Sequence, residues 1–105
     1  MPPIDRMLVL QRAMVTSILE GEGKASSAQR RGAFDNTGLA KPLKTLVDKV
    51  AFHAYMTTDE DINHARGAGL DEDQIFEIIV CAAVGQATRQ YERARAALDA
   101  VKAKE

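Results

Sequence analysis

Apolar residues recur along most of this chain at intervals of three and four, the repeat of an α-helix rather than of a strand. Met7, Leu8, Leu10, Met14, Val15, Ile18 and Leu19 predict a first helix over roughly 6–20, with Asp5 placed to cap it. GEGKASS, Gly21 to Ser27, breaks the pattern and predicts a loop. Ser26-x-x-Gln29 is a capping box that opens a short helix to about Asn36, and Gly38 suits the left-handed residue beyond its end. Pro42 suits the first turn of a third helix, whose apolar face is Leu43, Leu46, Val47, Val50, Ala51 and Ala54. Thr57-Thr58-Asp59 offers a fresh N-cap for a short helix to about Ala68, ended by Gly69. Asp71-x-x-Gln74 is a second capping box and opens the longest helix, roughly 72–102.

That last helix changes character along its length. IFEIIVCAAVGQA is apolar nearly all round and is expected to be the central buried element. Its second half thins to a stripe of Ala83, Ala87, Tyr91, Ala94, Leu98 and Val101, the spacing that packs on another helix of the same or a partner chain. Gly85 in mid-helix costs about 1 kcal/mol relative to Ala, so a close helix approach or room for a ligand is expected there. No strand pattern and no internal repeat is present. The expectation is one all-α domain over residues 1–105, a bundle of about five helices with one long C-terminal helix.

Composition narrows this further. Nearly half the residues are apolar, yet aromatics are few and there is no Trp, so Ala, Leu, Val and Ile must fill the core. The net charge is -1 with both signs interspersed, which predicts no nucleic-acid and no membrane partner. Cys81 is the only cysteine, so no intrachain disulfide is possible and a reducing compartment is expected. It lies inside IIVCAAV, where a thiol serves as a small hydrophobe. The N-terminal residues show no basic leader before an unbroken apolar run, and no apolar stretch approaches the ~20 residues of a membrane span, so a cytoplasmic protein is expected. GEGK is not a phosphate loop, because Ile18 stands where the first Gly should be and no strand precedes it. No clustered Cys/His spacing is present, so neither a metal nor a cofactor is expected.

One resemblance emerges from the second half. Ala65-Arg66-Gly67-Ala68-Gly69-Leu70, the acidic cap Asp71 to Gln74 and the Ala-rich helix Ile75 to Leu98 resemble the carboxymuconolactone decarboxylase and alkylhydroperoxidase D superfamily, over residues 39–98. The resemblance implies that fold and a homo-oligomer: a trimer or hexamer, with a dimer also open. It also implies a site on the short helix and the turn before it. Peroxidase-type members carry C-x-x-C there, with a His four residues after the second Cys. Counting back from Gly69 puts those positions on Ala54, Thr57 and Asp61; aligning on Tyr55 puts them on His53, Met56 and Glu60. Neither register supplies a thiol, and thiol–disulfide exchange needs a thiolate and a resolving partner. Peroxidase chemistry is therefore not expected.

The decarboxylase branch implies acid–base chemistry on a small lactone acid. His53, Glu60, Asp61 and His64 are the candidate catalytic groups, since such chemistry needs groups that exchange a proton near neutrality. Tyr55, Arg66 and Arg89 are candidate binding residues, the arginines as clamps for a small carboxylate ligand. Each has a plain structural alternative. DEDINH is also what a solvated helix start looks like, with acids in the first turn and His64 in the last. His53 beside Phe52 and Ala54 also fits a partly buried structural histidine, and Tyr55 a ring at the core edge. Three readings stay open: a cysteine-free accessory subunit of that superfamily, a small-molecule lyase, and a structural or partner-binding helical module.

Overall fold

A computed structural model describes residues 3–104, with side chains from Val9 onward. The expected Met7 and Leu8 side chains lie outside the described residues. Five α-helices follow in order: α1 Pro3–Glu20, α2 Ser27–Asp35, α3 Leu43–Phe52, α4 Asp59–Gly67 and α5 Glu72–Ala103, with a single 3₁₀ turn Ala54–Met56 between α3 and α4. No strand is found among the described residues. The fold is all-α, and no described helix is long and apolar enough to cross a membrane.

Local chemistry sets three of the helix starts. At α2 the Ser26 hydroxyl accepts the Gln29 N–H at 3.1 Å, and the Gln29 side chain accepts the Ser26 N–H at 3.3 Å. Asp71 and Gln74 repeat the exchange at α5, at 2.8 and 2.9 Å. Thr58 and Asp61 form a third box at α4. Each satisfies two amide donors that a helix start leaves without partners. Some ends differ from expectation. Helix α1 is already running at Pro3, so Asp5 lies within its first turn instead of capping it. Asn36, at φ 54°, takes the left-handed position that closes α2, and Gly38 is a second left-handed residue two positions on.

Helix α5 touches each of the other four, so the core forms around its first half. Ile75, Ile78, Cys81 and Ala82 of α5 pack with Leu19, Ala25, Ala33, Leu43, Leu46, Val47, Ala65 and Leu70. The burial is a stripe and not the whole circumference: Phe76 is 66% exposed. Ala54 also leaves the core, because the chain turns out of α3 at His53 and its helical face stops at Phe52.

Two glycines mark the tightest approaches. A Cβ on Gly85 would collide with the Phe34 carbonyl, so the absence of a side chain lets the last turn of α2 lie directly on α5. A Cβ on Gly23 would collide with the Glu77 carboxylate. That carboxylate accepts the Lys24 N–H at 2.9 Å and the Ala25 N–H at 2.6 Å, and so latches the α1–α2 loop to α5. Arg30 completes the latch from α2, donating to the carbonyls of Ile18 and Gly21 at 3.2 and 2.7 Å.

The second half of α5 outruns this core. The radius of gyration is 15.9 Å and the extents are 54 × 28 × 21 Å. A compact domain of this length has a radius near 13 Å.

Gly85→Ala is expected to destabilise the protein by about 1–3 kcal/mol, because overpacking against the α2 backbone outweighs the helix propensity that Ala gains. At Gly67 a Cβ meets nothing within 4 Å. Gly67→Ala should leave stability unchanged or raise it by up to about 1 kcal/mol. Urea unfolding of both variants checks the pair.

Candidate functional site

The candidate residues divide among separate places. His53 ends α3, its N–H donating to the Lys49 carbonyl at 2.7 Å. Its ring stands edge-on to Tyr55, centroids 6.1 Å apart. Both side chains are exposed, Tyr55 at 85%, so neither sits at the core edge. The reason is the 3₁₀ turn, which swings residues 54–56 off the helical face that would have carried them inward.

Glu60 and His64 lie one turn apart on the outer face of α4, with Nε2 3.7 Å from Oε1 and both side chains well exposed. Such a pair is screened by water and contributes little. Asp61, between them in sequence, points the other way and is only 8% exposed. Its two oxygens receive the Lys49 ammonium at 3.0 and 2.9 Å, and Oδ2 also accepts the Thr58 N–H at 2.9 Å and its hydroxyl at 3.1 Å. The Lys49 ammonium, with the Thr58 N–H next, holds this carboxyl below the usual carboxylate range. That shift moves it away from the near-neutral value a general base needs. Asp61 is thus tied to α3 and to its own helix start.

The two candidate clamps are also engaged. Arg66 pairs with Glu72 across the turn between α4 and α5. Arg89 donates to the Phe34 carbonyl and, through Nε and Nη2, to Gln86 Oε1 at 3.3 and 3.1 Å. Its task is to satisfy a carbonyl at the end of α2, one of those a helix leaves without partners. Among the described residues no three His, Cys, Asp or Glu side chains are grouped to hold a metal ion.

Three important charged residues are absent from the sequence reading. Lys49 is twelve positions from Asp61, Glu77 is more than fifty from the loop it holds, and Arg30 pairs with carbonyls and not with an acid. Only the lone Glu77 inside IFEIIV carried a signal, a charge where the pattern asks for an apolar residue. Cys81, at 1% exposure, fills the core as expected. Burial pushes its thiol up, against the opposing influence of Arg30.

A groove of about 540 Å³ lies elsewhere, between α1, the end of α2 and the outer part of α5. Val15, Phe34 and Tyr91 give it apolar walls, and Arg12, Glu92 and Arg95 line it as well. None of the seven candidate residues named from the sequence lines it.

Asp61→Asn is expected to lower the melting temperature at neutral pH, since it strands the Lys49 ammonium beside a neutral amide. The pH dependence has a definite sign. The carboxyl titrates lower in the folded protein than in the unfolded chain, so its stabilisation is complete above the ordinary carboxylate value of about 3.9. It is lost as pH falls through the lowered folded value. Melting curves from neutral to acid pH should therefore converge for Asp61→Asn and the parent protein. Cys81 should react with a thiol reagent at neutral pH far more slowly in the folded than in the urea-unfolded protein.

Comparison of the chain with protein-family models, with curated proteins and with solved structures gives no match, so any functional reading rests on the residues themselves.

Proposed function

We propose that this chain is a non-catalytic, self-assembling helical subunit, of the carboxymuconolactone decarboxylase and alkylhydroperoxidase D type but without thiol peroxidase chemistry. The observation that carries the reading is a contrast between polar and apolar side chains. The polar groups that would do chemistry are occupied with structure or spread over the surface: Asp61 by Lys49, Arg89 by Phe34 and Gln86, Arg66 by Glu72, with His53 and His64 exposed on different helices. The apolar groups are left uncovered. Leu10 and Met14 of α1 and Leu98 and Val101 of α5 are each half exposed or more. A chain this small that leaves large apolar residues in water gains by covering them with another copy.

The acid–base alternative on a small carboxylate, with His53 or His64 beside Glu60 or Asp61, draws less support. It needs at least one base and one cation converging on a shared space. His53 and His64 line neither the groove of about 540 Å³ nor the smaller hollows along α4 and α5.

Light scattering at micromolar concentration is expected to give a mass above that of the 11.4 kDa chain. A hydroperoxide assay with an external dithiol should give no turnover. A monomer would overturn the assembly, and turnover abolished by Cys81→Ser would overturn the reading as non-catalytic.

A further inference from the structure

The outer half of α5 carries a stricter pattern than a general apolar stripe. Val84, Ala87, Tyr91, Ala94, Leu98 and Val101 are spaced three and four residues apart in alternation, the heptad seam of a two-helix pair. Among the described residues only its beginning has a neighbour. Gln11 and Met14 of α1 flank Val84, Ala87 and Tyr91 across a shallow channel. Past Tyr91 the described residues that line the channel are all on α5, Ala94, Arg95, Leu98 and Lys102 among them. Tyr91 is 38% exposed, Leu98 52% and Val101 57%. A heptad seam buries its side chains only when a second helix supplies the facing holes.

The sizes along the seam say which helix and in which direction. Small residues, Ala87 and Ala94, alternate with large ones, Tyr91 and Leu98. A parallel pair in register would set Tyr91 against Tyr91 and Ala against Ala, giving one crowded layer and one hollow one. An antiparallel pair with its twofold axis level with the Glu92–Arg93 peptide does the reverse. Tyr91 then meets the partner's Ala94, Leu98 meets the partner's Ala87, and Val101 meets the partner's Val84. Each layer combines a large residue with a small one or two of middle size, which is what native packing density requires.

Charge agrees with this register. Glu92 and Arg95 both line the groove beside Tyr91. Neither takes part in the ion pairs found among the described residues. In the antiparallel pair Glu92 lies two residues of rise, about 3 Å, from the level of the partner's Arg95 on the same side of the seam. The twofold axis makes that contact twice. The surface is thus self-complementary in both shape and charge, as a twofold interface must be.

We propose that two copies of this chain pair through an antiparallel α5–α5 seam centred between Glu92 and Arg93, with α1 flanking each end. The proposal rests on the reading of the chain as self-assembling and adds the partner's position and direction. The assembly is then a dimer or an even multiple of it.

Directed disulfide formation tests this. In a Cys81→Ser background, Ala87→Cys and Leu98→Cys chains are oxidised separately and after mixing. The expected result is a cross-linked dimer in the mixture and little in either protein alone. Cross-linking of each protein with itself means a parallel pair and overturns the geometry. No cross-link in any sample, while light scattering still shows an oligomer, overturns the seam but not self-assembly. A monomeric parent protein overturns both. Charge reversal checks the register without touching the seam. Glu92→Arg should raise the dimer dissociation constant at least about tenfold, through two like-charge contacts. Adding Arg95→Glu should restore it, and failure to restore places the charges elsewhere.

Discussion

The architecture depends on one close approach, the bare backbone of α5 at Gly85 against the last turn of α2 at Phe34. Two helices meet this closely only where no side chain stands between them. Once they do, the rest of the packing follows. The Phe34 carbonyl comes within reach of Arg89, one turn along α5, and its lost hydration is replaced by a charged donor. The loop before α2 reaches the start of α5, where Glu77 takes its amides. Helix α3 then fills the next side of α5 and α4 closes it. A mid-helix glycine that costs helix propensity therefore sets the spacing of the whole bundle.

The charged residues mostly serve this frame. Asp61, Arg89, Arg30 and Glu77 each end on a backbone amide, a carbonyl or a single opposite charge. Each is turned toward the frame it holds, and what it gives to a neighbouring helix or loop it does not offer to a ligand. The GEGK loop makes the point at close range. The amides of its Lys24 and of the next residue, Ala25, do hold an anion, but the anion is the Glu77 carboxylate of the same chain. The groups left free are those on the surface, where water and salt mute their effect.

What the frame leaves over is the outer half of α5. A helix of 32 residues, about 48 Å long, runs most of the 54 Å length of the molecule and far exceeds its 28 and 21 Å widths. Its first half is held by the core, and its second half carries apolar residues, Tyr91, Leu98 and Val101, that stand exposed. An isolated helical stretch gains little stability from propensity alone, so a helix extended this far is stabilised chiefly by what packs on it. That exposed stretch is the ground on which the pairing of two copies is proposed.

The sequence by itself determined the number and kind of elements and most of their limits. Capping boxes at Ser26 and Asp71, the cap at Thr58 and the stop at Gly69 all work through neighbours within four residues, and these can be read along the chain; the glycine in mid-α5 is visible there too, but the α2 carbonyl it makes room for is not. The same holds for the apolar faces of α3 and α5 and for the buried place of Cys81. Asp61 was visible as a distinctive acid, but its partner Lys49 was not, because twelve residues and a break in the helix separate them. Only the tertiary structure decided that Arg89 reaches for a carbonyl, that Glu77 holds a distant loop, and that His53 and Tyr55 turn out to solvent. Those outcomes depend on where whole helices end in space, and a pattern confined to nearest neighbours does not encode that.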